Sequence, residues 1–273
     1  MGKIAKRIIK TPVEALLFLN NKLMSVYLLI LFIALWQAAP ALGWVNPVFI
    51  PSFSTVLGGA VKMTLGTLLA HIGHSLRRVV TGMAICMVLA LPFGFILGGA
   101  LPKTAAALKA LMNFLAQIPP YILYAVIVIA AGPGETAITF VIVWSAFWPV
   151  LFTVIEGVKE IDPRLIRCAK SMNAGGVQVF FKVVFPAAFP NLMRGLRQGL
   201  TLGFLMLIGA ESMGAKSGIG FLIHNAQVMG HISRIYLGAL LSAALGFLLN
   251  FATGFIEKKL VVWKETENEK AVA

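Results

Sequence analysis

Few residues in this sequence have both the type and the spacing to do chemistry. Ser75 next to His74, or one turn from His71, supplies a nucleophile and a base in name. Adjacent positions on a helix do not face each other, so a hydrolase built on Ser75 and His74 is disfavoured. His71, His74, His224 and His231 match no zinc spacing, and no cysteine or carboxylate cluster accompanies them; they read as interface histidines, and no metal is expected. "GAKSG" at 214–218 sets a lysine beside a serine, but it lacks the upstream glycine and the strand of a phosphate-cradling loop. That leaves Glu211, a carboxylate near the predicted outer end of a span, where an acidic group is costly and therefore a functional candidate. An oxyanion would be repelled there, so Glu211 is expected to be a gate or structural partner, paired with Lys216 or with a backbone donor.

The second candidate is mechanical. The stretch from Glu160 to Asn191, "EIDPRLIRCAKSMNAGGVQVFFKVVFPAAFPN", interrupts a sequence that is otherwise lipid-soluble. Asp162 followed by Pro163 starts a helix: the carboxylate can accept from free amides, and proline loses nothing at the first helical position. Leu165, Ala169 and Met172 then share a face, with Arg164, Arg167, Lys170 and Ser171 around the rest. Asn173 to Gly176 ends the helix, because asparagine and glycine tolerate the left-handed backbone an end requires. A second short helix over Val177 to Phe185 is expected to run into Pro186, with a span beginning after it. Apolar anchors and cations on two hinged helices suit either anionic headgroups or the groove of a soluble partner.

These groups must be positioned by membrane helices. Of the 273 residues, 59% are hydrophobic and 12% charged, and the mean hydropathy is +0.90. Apolar runs of helical length predict an all-α, polytopic membrane protein rather than a barrel. Six segments meet or approach the roughly 20 residues a bilayer needs: 24–42, 79–101, 108–131, 136–158, 191–213 and 234–256. The first reads as an uncleaved helix rather than a signal peptide. The interval 43–78 reads as a proline-broken loop followed by an interfacial amphipathic helix, with Arg77 and Arg78 at the head of the second span.

Charge orients this bundle. The net charge of +13 would suggest nucleic acid in a soluble protein, but here retention of cytoplasmic loops explains it, and no nucleic acid partner is expected. With both termini cytoplasmic, 18 of the 23 Lys and Arg fall inside and five (Lys62, Arg77, Arg78, Lys216 and Arg234) fall outside. The organisation is then a cytoplasmic segment 1–23, a transmembrane domain 24–263 with its cytoplasmic loop at about 159–190, and a disordered cytoplasmic tail 264–273. Cys86 and Cys168 differ in surroundings and are not expected to pair.

Within the spans, "QIPP" at 117–120 breaks the third, since Pro119 and Pro120 donate no backbone bond and free carbonyls that only protein or a wet cavity can satisfy. Gln117, Pro119, Pro120, Tyr121 and Tyr124 are therefore candidates for lining a pathway, with a simple kink as the alternative. Gly195, Gly199 and Gly203 recur at four-residue spacing on the fifth span and should let another helix approach closely; Gly94 and Gly98 repeat the idea in the second.

The loop resembles that of the integral membrane permeases of binding-protein-dependent ABC importers, in particular the nitrate/sulfonate/taurine type. Their pattern E-A-A-x3-G-x9-I-x-L-P falls on Arg167, Cys168, Ala169, Asn173, Val183, Phe185 and Pro186, with spacing intact to the proline. "DPRLI", "FPAAFPNLMRGLRQGL", "GAESMGAKSGIGFLIHNAQ" and "QIPPYILYAVIVIAAGPGE" extend the likeness from about Trp36 to Trp263. The departures are Arg167 for glutamate, Cys168 for alanine and Asn173 for glycine.

The resemblance implies a type I importer permease fold in the plasma (inner) membrane that carries a small solute inward and is not itself an enzyme. It implies ABC ATPase subunits that hold the ATP and magnesium, a second permease subunit making a homodimer or a heterodimer, and an extracytoplasmic solute-binding protein. The loop from Asp162, Pro163 and Arg164 through Ala174 to Pro186 is implied as the ATPase-coupling element; the departure at Arg167 from the family's glutamate leads us to expect a dedicated partner with a complementary acidic residue. A stand-alone ion-coupled carrier or channel is the alternative, and would need ionisable groups deep in the spans, which are scarce.

Overall fold

The computed structural model describes residues 12–61, 63 and 65–260. The expected tail 264–273 and the first eleven residues of the expected segment 1–23 lie outside that range. Among the described residues every regular element is helical: α1 (Pro12–Ala41), α2 (Phe53–Val61), α3 (Leu65–Phe95), α4 (Pro102–Ala116), α5 (Pro120–Ala131), α6 (Glu135–Lys159), α7 (Pro163–Ser171), α8 (Gly176–Val179), α9 (Phe185–Gly214), α10 (Ile219–Val228) and α11 (Ile232–Leu260). Wide π-type turns at Ile96–Ala100 and Phe180–Val184 extend α3 and join α8 to α9.

Among the described residues four helical rods are long and apolar enough to cross a membrane: Leu65–Ala100, Glu135–Lys159, Gly176–Gly214 and Ile232–Leu260. The pair α4 and α5, bent by 75°, passes the same test only when the two are taken together as one broken span, and Tyr27–Ala41 is a shorter apolar helix. The bend follows from "QIPP". Gln117 closes α4, Pro119 is extended at φ −60° and ψ 124°, and Pro120 opens α5.

α6 is the centre of the bundle, packed between α3 and α9. Its buried face runs from Ala137 and Val141 through Ala146 and Val150 to Val154. The neighbours approach through glycines. A Cβ at Gly199 would sit 3.0 Å from the Ala146 carbonyl oxygen, and one at Gly203 would sit 3.3 Å from Ile142 Cγ2; Gly195 faces Thr153, and Gly82, Gly94 and Gly98 bring α3 onto the other side of α6. This is the small-residue packing that membrane helices use where no hydrophobic force drives them together.

Two expected boundaries are corrected. The short helix α2 does precede the second span, but α3 begins at Leu65 and runs unbroken to Phe95, so Arg77 and Arg78 lie inside it rather than at its head. The reason is that Arg78 is neutralised by carboxylates from other elements, so its charge does not force the helix to stop at the water boundary. Likewise no break separates the second short helix of the loop from the fifth span. The backbone N–H of Phe185 reaches back to the Phe180 carbonyl in a widened turn just before Pro186, and Gly176–Gly214 runs on as one continuous rod.

Candidate functional site

Two sites stand at opposite ends of the bundle, and α3, α6 and α9 connect them. The first is the loop between α6 and α9. Asp162 sits outside α7 with its carboxylate accepting from the Arg164 N–H at 2.8 Å, and Pro163 occupies the first turn. At the other end Asn173 takes φ 58°, the only non-glycine positive φ among the described residues. Its N–H donates to the Lys170 carbonyl at 3.0 Å, and that of Ala174 to the Ala169 carbonyl at 3.2 Å, a Schellman closure. Gly175 N–H then donates to Gln178 Oε1 at 3.3 Å to start α8. Short-range bonds thus fix both ends of a nine-residue helix, none of whose residues is buried.

The motif residues divide into two groups. Asp162, Pro163, Arg164, Arg167 and Cys168 are exposed, as are the apolar Leu165 and Met172, the latter at 80%. Val183, Phe185 and Pro186 belong to the continuous rod and are half-buried. Phe185 joins Phe180 and Phe95 in a cluster with ring centroids 5.1–6.4 Å apart, seating the loop against the end of α3. A largely apolar cavity of about 770 Å³ lies in the same angle.

The second site is a buried ion cluster. Glu211 on α9 is 1% exposed. Its carboxylate accepts from Arg78 Nη1 at 2.8 Å, from Ser75 Oγ at 2.8 Å and from the Gly220 N–H at 2.9 Å. Ser75 Oγ accepts in turn from the Ile219 N–H at 2.9 Å, and His71 Nδ1 accepts from the Gly218 N–H at 3.1 Å. Three consecutive amides at the start of α10 are therefore satisfied by one face of α3 together with Glu211, where the helix dipole also favours negative charge. Arg78 completes the cluster with the Ser217 carbonyl and with Glu135 at the head of α6, its Nε lying 2.9 Å from Glu135 Oε2. A carboxylate this deep is stable only when paired and hydrogen-bonded.

Glu211 thus meets a backbone donor, as expected, but its cationic partner is Arg78; Lys216 is exposed and corrects that part of the expectation. Sequence reasoning does not single out Arg78 as that partner. The available signal is the polar run His71, Ser75, Arg78, spaced four and three residues along one helical face. Among the described residues no group of three or more His, Cys, Asp or Glu is arranged to hold a metal ion.

Between the two ends lies a cavity of about 560 Å³ lined by Tyr121, Thr201, Ile208, Ser242 and Asn250 among others. It adjoins a second, of about 360 Å³, through Phe247 and Asn250, which brings in Arg197 and Lys258. Of the pathway candidates, Tyr121 lines this space, whereas Gln117, Pro119 and Pro120 do not, and Glu211 belongs to the ion cluster. Tyr124 is 2% exposed and packs towards Gly214, which corrects its candidacy.

Comparison with known proteins agrees with this geometry. A family model described as the inner membrane component of binding-protein-dependent transport systems matches residues 90–262. The taurine transport system permease protein TauC of Escherichia coli is 28% identical over 246 residues, covering 88% of this chain and 89% of its own length. The bicarbonate transport system permease protein CmpB of Synechocystis is 30% identical over 243 residues, covering 83% and 84%. In fold, the chain is similar to the inward-facing MetNI methionine ABC transporter, with a TM-score of 0.64 and 21% identity over 72% of this chain and 99% of that one. The chain therefore belongs to the family of binding-protein-dependent transport system inner membrane components, the membrane-spanning permease subunits of ABC importers.

Proposed function

We propose that two copies of this chain form the translocation pathway of an importer whose ATP hydrolysis is carried out on separate subunits, which hold ATP and magnesium and dock on α7. The observation that carries this reading is the state of α7: strongly amphipathic, capped at both ends, without a buried residue, and tied into two spans. Lys159 ends α6 directly before it, and α8 continues into α9 without a break after it. A displacement of the docked helix is thus delivered to the two central helices of the bundle. The cationic bias of the same end supports a cytoplasmic position for it and for both termini.

The opposite end, with the α9–α10 junction, then meets an extracytoplasmic solute-binding protein. The solute is small and bears an oxyanion group. Relatives named for taurine and bicarbonate support that class, and so do the neutral hydroxyl and amide groups of the central cavity and the cations Arg197 and Lys258 of its neighbour. The test is co-purification with the cognate ATPase. Leu165→Asp together with Met172→Asp should abolish recovery of the ATPase with the chain while leaving the chain folded; unchanged recovery would remove α7 as the dock.

A further inference from the structure

The smaller of the two cavities between α9 and α11, about 360 Å³, is walled by two cations and no carboxylate. Arg197 reaches it from the first half of α9 and Lys258 from the last turn of α11, so it lies at the α7 end of the bundle. Asn250, Gly254 and Lys258 recur every fourth residue and put one polar row of α11 on the cavity. Phe247, Phe251 and Phe255 repeat that spacing as an apolar row beside it. The larger cavity adjoins this one, but its hydroxyls are already committed: Thr201 donates to the Arg197 carbonyl at 2.9 Å and Ser242 to the Ala239 carbonyl at 2.8 Å. The strongest donors to a negative group are therefore the cations of the smaller cavity.

Arg197 is held in position there. Its Nη2 lies 2.9 Å from Glu257 Oε2, and Glu257 stands outside the cavity wall. A Cβ added at Gly254 would sit 2.6 Å from the same nitrogen, so the guanidinium lies across bare backbone where a side chain would displace it. With one nitrogen fixed in this way the side chain is still 40% exposed. An arginine fork already set in one orientation loses less freedom when it meets an oxyanion.

We propose that Arg197 and Lys258 form a seat for the oxyanion group of a small organic solute, with Glu257 and Gly254 as positioning residues for the guanidinium and the phenylalanine row against the solute's apolar part. The membrane chain then selects for negative charge a second time, after the binding protein. Two cations that keep contact with water attach an anion weakly, which a path that must release its solute requires. The role in transport rests on the function proposed above; the binding itself does not.

The experiment uses the full chain in phosphatidylcholine nanodiscs and methanesulfonate as the probe, with binding read by saturation-transfer NMR of its methyl signal against empty nanodiscs. Methanesulfonate should bind, and the neutral methanesulfonamide should bind about tenfold more weakly, the scale of a charge-assisted hydrogen bond. Arg197→Gln should weaken methanesulfonate binding about tenfold, and Lys258→Gln about fivefold. Gly254→Ala keeps both cations and Glu257 while pushing the guanidinium aside, so it should weaken binding about as much as Lys258→Gln. Arg194→Gln and Lys259→Gln remove neighbouring cations that do not line the cavity and should leave binding unchanged. No binding to the parent chain, full binding in Arg197→Gln, or an equal loss in Lys259→Gln would overturn the seat. Loss of the signal when phosphatidylglycerol replaces part of the phosphatidylcholine would overturn it too, by assigning the cations to a lipid headgroup. Because no ATPase or binding protein is present, such a failure leaves the transport function standing; expected binding in a chain that fails to take up solute with its partners would instead overturn the transport function.

Discussion

At Glu211 the sequence offers only a carboxylate in an apolar run, and the fold supplies everything that makes it tolerable. The partner Arg78 stands 133 residues away and Ser75 136 away, distances no local pattern spans, so the candidate is legible in the sequence and its chemistry is not. Arg78→Met strands a buried carboxylate and should cost about 3–5 kcal/mol, read as a fall in thermal unfolding temperature in detergent. The double variant Arg78→Met with Glu211→Leu should lose much less than the sum of the single changes, since the stranded charge goes too; additive losses would show that the two residues do not act as a pair. Arg167 poses a different question, because it stands where the resemblance expects glutamate and is exposed on α7. The charge reversal Arg167→Glu should weaken ATPase coupling with the cognate partner, and improved coupling would contradict an acidic counterpart there.

Elements are legible in proportion to how local their determinants are. The start of α7 at Asp162 and Pro163 and its end at Asn173 depend on bonds within five residues, and they stand where the side chains put them. α3 departs from expectation because charged residues near its middle read as a water boundary, and the α8–α9 rod because Pro186 reads as a stop unless a widened turn precedes it. Asn173→Val places a β-branched residue at φ 58° and should cost about 1–2 kcal/mol, visible as faster hydrogen exchange across α7. Gly199→Leu forces α9 off α6 where only 3.0 Å separates a Cβ from the Ala146 carbonyl. It should lower stability by about 1–3 kcal/mol and reduce the yield of folded chain, with Gly199→Ala falling between.

At the scale of the whole molecule, composition and charge already specify a polytopic helical protein with a cationic side, because lipid leaves the backbone few choices. The arrangement of helices around α6 depends on contacts that only the fold reveals. Cys168 is exposed and Cys86 buried, so orientation is readable with the native thiols: an impermeant maleimide should label inverted vesicles and leave right-side-out cells unlabelled, and the reverse pattern would invert the topology. The most direct measurement is uptake of a labelled small oxyanion such as taurine or a sulfonate into proteoliposomes. These would contain the chain with its cognate ATPase, and the binding protein would be supplied from the side opposite α7. Uptake should require ATP and the binding protein together and vanish with Leu165→Asp and Met172→Asp; equal uptake with every ATPase removed would contradict the account.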